Sequence, residues 1–262
     1  MNHDFSIFFS TESIIIFILV LSRLTGMLTA APLISTFPIP MQVKLGLGAL
    51  TAFILYPFIL QNTTNFVAPR DLLSLTVLLF KETAVGLLIG FAMSLIFTSV
   101  EIGGQILSIQ MGLAIANALD PVTKQHTPVV GQFYLYMASI VFININGPQW
   151  LFTTVYDSYK SIPIGLDFSF SGQITQQLLY FSGHIFLIAF SIIIPIFSIL
   201  IIKTILLGIV SKILPQLNVF MVAMPSQIYV GLTLMLILMP STAIYLSSLF
   251  GELLKNINSI FI

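Results

Sequence analysis

Apolar residues run along this chain in long blocks rather than in the narrow stripes of soluble helices or the alternation of strands. A helix needs about 20 mostly apolar residues to cross the hydrocarbon core of a bilayer. Six blocks approach or exceed that length, although the second is short: Ile14–Ile34, Leu45–Leu60, Leu72–Val100, Val129–Ile145, Leu178–Ile202 and Ile228–Phe250. The pattern predicts an all-α membrane protein with about six apolar helical segments.

The most polar interruption of this pattern is the stretch Glu101–Pro128. Glu101, Gln105, Ser108 and Gly112 lie at helical spacing and predict a helix with one polar face. The pattern then loosens up to the proline that follows Asp120, which disfavours helix at that position. Irregular backbone at membrane depth persists only where protein covers it or where it lines a wet cavity. An ordinary loop outside the membrane is an equally open interpretation.

Composition supports the same class of protein. Of 262 residues, 57% are hydrophobic and 7% charged, whereas soluble domains have about 25% charged residues. Nine basic and nine acidic residues cancel, so no global field attracts nucleic acid or anionic lipid. The absence of cysteine excludes disulfides and thiolate zinc sites. The first apolar block lacks the basic region and cleavage site of a removable signal peptide.

Four charged residues inside or beside the apolar blocks are the main functional hint: Arg23, Lys81, Glu82 and Glu101. Each costs at least ~2.5 kcal/mol at the centre of a membrane helix. No block has the spaced acidic residues of a proton relay, so pairing inside an assembly is favoured over ion transport. Small residues recur at Ser22, Gly26 and Ala30 and again at Gly86 and Gly90, which favours close helix packing.

The basic residues between the blocks do not set an orientation by the positive-inside rule. If all six blocks crossed the membrane, one side would hold Lys44, Lys124, Lys203 and Lys212, and the other Arg70, Lys160 and Lys255. This near balance indicates an arrangement other than a simple bundle of spans.

Catalytic chemistry has no support in the sequence. Nucleotide-binding, zinc-protease and serine-hydrolase motifs are absent, and His3, His126 and His184 are too far apart to suggest a metal site. No catalytic, cofactor or metal residues are predicted. A secondary transporter with a substrate site at the broken helices remains an alternative, although no internal repeat supports it. A membrane-embedded enzyme is a weaker one.

Four segments together resemble the FliR family of flagellar type III export-gate subunits, which is related to the T-type subunits of virulence type III secretion systems. They are RLTGMLTAAPLIS from Arg23, KETAVGLLIGFAMSLIF from Lys81, EIGGQILSIQMGLAIANALDP from Glu101 and SKILPQLNVFMVAMPSQIYVGL from Ser211. The resemblance covers essentially the whole chain. Its specific part is PQLNVF, because apolar blocks alone would not be diagnostic, and GLAIANAL varies within the family.

The resemblance implies a structural, non-enzymatic subunit of the export gate, present once in a hetero-oligomer with FliP-like and FliQ-like subunits. The expected location is the bacterial inner membrane at the flagellar basal body, with an FlhB-like subunit at the cytoplasmic entrance. The expected fold consists of kinked helical hairpins, with a FliP-like part over residues 1–177 and a FliQ-like hairpin over residues 178–262. Unfolded flagellar proteins are the expected substrates, and no cofactor is implied.

The resemblance also implies residue roles. A pore plug is expected at Met111, Gly112, Leu113, Ala114, Ile115, Ala116, Asn117, Ala118, Leu119, Asp120 and Pro121. The tip of a hairpin on the cytoplasmic side is expected at Lys212, Pro215, Gln216, Leu217, Asn218, Val219 and Phe220.

Overall fold

The regular secondary structure in the described part of the chain consists of helices. The computed structural model describes residues 11–33, 39–62, 66, 68–69, 71–113, 129–164, 172–214, 216 and 219–261. The helices in these ranges are α1 Thr11–Ala30, α2 Met41–Asn62, α3 Leu72–Gln110, α4 Val129–Asn144, α5 Gly147–Ser161, α6 Gly172–Ile213 and α7 Val219–Phe261. Among these described helices, five are long and apolar enough to cross a membrane, and a sixth span results if α4 and α5 form one bent span. The protein is therefore an all-α membrane protein, as the sequence predicts.

Helix extends beyond the predicted apolar blocks in two places. Between the fourth and fifth blocks, α5 comprises Gly147–Ser161 and α6 begins at Gly172. Between the fifth and sixth blocks, α6 continues to Ile213 and α7 begins at Val219. The block pattern alone therefore gave too much weight to polar residues. In α5, Leu151, Val155 and Tyr159 recur every fourth residue and are buried, which is the spacing of a helix face.

The first of two compact units comprises residues 1–95, 146–181 and 251–262. Its helices α1 and α3 cross with almost no side chain between them. A Cβ at Gly86 would collide with the carbonyl oxygen of Arg23, and one at Gly26 would lie 2.5 Å from the carbonyl oxygen of Thr83. A Cβ at Gly90 would lie 2.7 Å from that of Ala30. The small residues of both helices therefore meet, as their spacing predicts.

The second unit comprises residues 96–145 and 182–250. Its core contains three aromatic rings, Phe97, Phe142 and Phe250, whose centroids lie 5.2 to 5.7 Å apart. In the same unit α3 and α4 approach each other closely, because a Cβ at Gly104 would lie 2.5 Å from the Cα of Gly131. These units group residues by contact, and the FliP-like and FliQ-like division of the sequence stays a prediction.

Large apolar side chains remain exposed on both units. Phe53 is 74% and Leu72 83% exposed in the first unit, and Met221 is 76% and Ile244 72% exposed in the second. Exposed apolar surface on this scale requires lipid or partner helices to cover it.

Candidate functional site

Arg23 of α1 is the centre of a buried polar cluster in the first unit. Its side chain is fully buried, and its Nε donates a hydrogen bond of 2.6 Å to Oε2 of Glu82 on α3. Nη1 donates to Oγ of Ser158 at 2.9 Å, and Nη2 donates to the carbonyl oxygen of Ile162 at 3.1 Å. The guanidinium thus connects α1, α3, α5 and the residue that follows α5.

Tyr159 completes this cluster through its ring. The guanidinium carbon of Arg23 lies 3.9 Å from the centroid of the Tyr159 ring, within the range of a cation–π interaction. The buried hydroxyl of Tyr159 has no hydrogen-bond partner among the described residues. Ser158 donates its own hydroxyl proton to the carbonyl oxygen of Val155 at 2.6 Å, which orients its oxygen to accept from Arg23.

The buried cluster is suited to holding helices together. Burying an arginine and a glutamate costs several kcal/mol per ion before their attraction is counted. The ion pair, two further hydrogen bonds and an aromatic face compensate the guanidinium in this cluster. A fully buried arginine with fixed partners keeps its proton and its position. Its arrangement therefore supports a structural role and gives no support to ion transport.

The C-terminal end of α3, in the second unit, is the second candidate region. The helix ends at Gln110, and Gly112 has a φ of 80°, a left-handed conformation that glycine adopts without steric cost. Between them, Met111 is fully buried against Gly231 of α7. The part of the polar stretch that follows α3 therefore begins with a turn that buried Met111 anchors.

Gln227 of α7 lies close to this turn and bonds to α6. Nε2 of Gln227 donates to Oγ1 of Thr204 at 2.9 Å, and Oε1 of Gln227 lies 3.8 Å from the Cβ position of residue 112. Lys203, treated above as a loop charge, instead lies inside α6. Its buried Nζ has no hydrogen-bond partner in the described ranges.

Among the four charges singled out in the sequence, Arg23 and Glu82 pair with each other. Glu101 is exposed and accepts a long hydrogen bond of 3.4 Å from Nε2 of Gln105. Lys81 is half-buried. Ser108, on the expected polar face of α3, is buried, so that face passes from the surface into the protein.

The expected plug and hairpin tip are described only in part. Met111, Gly112 and Leu113 are described, whereas residues 114–121 lie outside the described residues. Lys212 is exposed near the end of α6, and Gln216 is exposed between α6 and α7. Val219 and Phe220 begin α7, while Pro215, Leu217 and Asn218 lie outside the described residues.

Sequence reasoning missed Ser158, Tyr159, Lys203 and Gly231. A buried arginine needs more than one acceptor, since it presents five N–H donors, and that requirement alone could have prompted a search for hydroxyl partners. No local signal distinguishes Gly231 from other glycines, because its importance comes from a residue more than a hundred positions away.

Comparison with known proteins connects this architecture to a family. The family described as bacterial export proteins, family 1, matches residues 14–253. The chain belongs to this family. The matched residues include all four charges, the small residues where α1 and α3 cross, and the turn at Gly112.

Relatives align over nearly their whole length with this export protein. The flagellar biosynthetic protein FliR of Escherichia coli (strain K12) is 29% identical over 233 residues, covering 89% of this chain and 87% of the relative. FliR of Bacillus subtilis (strain 168) is 28% identical and covers 93% of both chains. FliR of Aquifex aeolicus (strain VF5) is 27% identical, covering 94% of this chain and 93% of the relative. These matches confirm the resemblance to the FliR family.

Proposed function

We propose that this chain is a structural, non-enzymatic subunit of the flagellar type III export gate in the bacterial inner membrane. The observation on which the proposal rests is the family match over residues 14–253, together with similarity to flagellar biosynthetic FliR proteins that covers 89% and 93% of this chain. The subunit helps form the channel through which unfolded flagellar proteins leave the cell.

Partner subunits are part of this proposal. Both units expose large apolar side chains such as Phe53 and Met221, and exposed Glu101 lies on a helix of membrane-spanning length. Side chains of both kinds are stabilised when neighbouring helices cover them. We therefore assign FliP-like and FliQ-like subunits as neighbours and an FlhB-like subunit at the hairpin tip around Gln216.

Closure of the channel is the second part of the proposal. Residues 111–121 form the plug, and its described beginning supports this role. Buried Met111 and the left-handed turn at Gly112 fix where the chain leaves α3. From that anchor, a segment of apolar and small residues fills the pore when the channel is closed.

The assembly is tested by co-expression. Expressed alone in detergent, the chain is expected to be heterogeneous, whereas with FliP-like and FliQ-like subunits it should purify as one large complex. A monodisperse monomer that transports a small solute would contradict the assembly and favour a secondary transporter.

The plug is tested by deleting Ala114–Ala118. The deletion complex should assemble at the normal yield, make the membrane leaky to small ions and retain at least part of the secretion of flagellar subunits. Normal assembly with a tight membrane would show that this segment is only a connecting loop.

A further inference from the structure

One side of α3 is left uncovered by the described helices of the second unit. Four residues at intervals of three or four lie along this side of the helix: Thr98, Glu101, Gln105 and Ile109. Thr98 and Glu101 are exposed, Gln105 is half-buried and Ile109 is 66% exposed. These four residues are called the α3 stripe below. The α3 stripe combines a hydroxyl, a carboxylate, an amide and a large apolar side chain.

The opposite side of α3 is packed against other helices of the same unit. A Cβ at Gly103 would lie 3.0 Å from a carbonyl oxygen of α6, and one at Gly104 would lie 2.5 Å from a Cα of α4. Leu107 follows on the packed side and is fully buried. At 3.6 residues per turn, Leu107 lies across the helix from Thr98. The α3 stripe is therefore the side of the helix that remains available to another molecule.

Glu101 gives the α3 stripe a negative charge that the described part of its unit does not neutralise. It is the only carboxylate among the described residues of the second unit. No lysine or arginine in the described ranges forms an ion pair with it, and its hydrogen bond from Gln105 is long at 3.4 Å. Because α3 has membrane-spanning length, a carboxylate on it is expected to face protein or water and to pair with a cation.

The mixture of side chains in the α3 stripe favours a partner helix over a water-filled cavity. Thr98, Glu101 and Gln105 repeat at the spacing of a helix–helix seam, and polar side chains in such seams form hydrogen bonds between membrane helices. Ile109 continues the stripe by one turn, and covering its side chain with apolar surface is favourable. Water would leave that side chain exposed, whereas a helix with one cation and neighbouring apolar residues matches the whole stripe.

We propose that the α3 stripe is the docking site for a membrane helix of a neighbouring gate subunit that carries a lysine or an arginine opposite Glu101. The ion pair forms in the assembly, Thr98 and Gln105 offer hydrogen bonds beside it, and Ile109 packs against an apolar side chain. This inference rests on the proposed function, in which other subunits surround this chain. It adds the side of α3 that one of them contacts and the chemistry of that contact.

The first experiment changes the charge at position 101 in the complete complex. Glu101→Gln keeps the size of the side chain and should lower complex yield only slightly. Glu101→Lys brings like charges together and should lower the yield several-fold. Glu12→Lys is the matched control, since Glu12 is exposed in the first turn of α1, and it should leave the yield near the wild-type value. Changes in the partner genes that restore secretion to Glu101→Lys should replace a lysine or an arginine by an acidic residue.

The second experiment identifies the molecule that covers the α3 stripe. A photoreactive benzoylphenylalanine at position 109 should cross-link this chain to a FliP-like or FliQ-like subunit. Glu101→Lys should reduce that product several-fold in the complex that still assembles. The control places the same photoreactive residue at position 140, because Ile140 of α4 is 68% exposed in the same unit. Cross-linking from position 140 should not change with the residue at position 101.

Other cross-linked products at position 109 would overturn the docking site. Exported protein trapped during secretion would show that the α3 stripe lines the channel, and a product that contains this chain alone would show that another of its own segments covers the stripe. Wild-type yield of the Glu101→Lys complex with an unchanged cross-link would also overturn the docking site. In each of these cases the proposed function stands. Failure of the wild-type chain to form a complex with FliP-like and FliQ-like subunits would instead overturn the proposed function and the docking site together.

Discussion

Glu82 places a carboxylate oxygen 2.6 Å from Nε of Arg23, and the two side chains are 5% and 0% exposed. The residues lie 59 positions apart, so their ion pair joins α1 to α3 where the glycines of the two helices meet. The charge pair and the small residues consequently depend on each other. The glycines bring the backbones close enough for the ion pair, and the pair makes that approach specific.

Replacing one partner of this pair should destabilise the complex more than replacing both. Glu82→Leu leaves a buried guanidinium without its counter-ion, a change that typically costs about 3–5 kcal/mol. Glu82→Lys should be worse, because it adds a second cation. The double variant Arg23→Leu, Glu82→Leu should recover part of the loss. The measurements are complex yield and the thermal unfolding temperature of the purified complex.

Glu12→Leu is the control for this series, since Glu12 is exposed in the first turn of α1. It should change the unfolding temperature much less than Glu82→Leu. Equal losses for the two single variants would show that pairing with Arg23 does not make Glu82 more important for stability than the exposed carboxylate.

The ring and the hydroxyl of Tyr159 should differ in importance. Tyr159→Phe removes a hydroxyl that has no hydrogen-bond partner among the described residues and keeps the ring against Arg23, so stability should be unchanged or slightly higher. Tyr159→Leu removes the cation–π interaction, worth up to about 2 kcal/mol when desolvated, and should lower the unfolding temperature. A large loss in Tyr159→Phe would reveal a partner for the hydroxyl in the assembled complex.

Ser158→Ala tests the neighbouring hydroxyl. It removes the acceptor that Nη1 of Arg23 uses at 2.9 Å, and hydrogen bonds to charged groups contribute about 1.5–3 kcal/mol. The variant should therefore lower the unfolding temperature, whereas Thr153→Ala, at an exposed position of the same helix, should not. Equal behaviour of the two variants would argue against a structural role for Ser158.

Sequence patterns predicted the helices well because apolar block length is a local property. The start of α3 at Leu72 and the end of the α1 block within a few residues of Ala30 follow from where polar residues and prolines begin. The same patterns did not identify α5, because its buried face consists of Leu151, Val155 and Tyr159 amid polar residues. Whether such a stretch is helical depends on what covers it, and that information is not local.

The candidate sites show the same division. Arg23 and Glu82 were identifiable as costly charges inside apolar blocks, yet their pairing required knowing that α1 crosses α3. The contact between Gly231 and Met111 could not be predicted from the sequence, because it depends on how close the two residues lie in the folded protein.

Gly86→Ala should disrupt the first unit although it adds a single methyl group. That methyl would collide with the carbonyl oxygen of Arg23, and a backbone atom cannot rotate away as a side chain does. The helices must separate, which also pulls Arg23 from Glu82. Complex yield and unfolding temperature should both fall.

Gly46→Ala is the matched control on α2 of the same unit, where a Cβ has nothing within 4 Å. It should be neutral or stabilising, because glycine inside a helix is about 1 kcal/mol less favourable than alanine. If Gly86→Ala were as stable as Gly46→Ala, the close crossing of α1 and α3 would not persist in the complex.

Lys203→Met tests whether an ammonium group with no partner in the described ranges is a cost or a binding feature. Lys203 is a residue of α6, and its Nζ is buried. A lysine at the centre of a membrane helix costs about 2.5–3.5 kcal/mol on insertion scales. Methionine keeps the length of the side chain and removes the charge. If Lys203 has no partner in the assembly either, Lys203→Met should raise the unfolding temperature of the complex without reducing secretion. Lys160→Met, at an exposed position near the end of α5, should change neither. A loss of complex yield specific to Lys203→Met would contradict this expectation and show that another subunit, or residues outside the described ranges, supplies an anionic partner to Lys203.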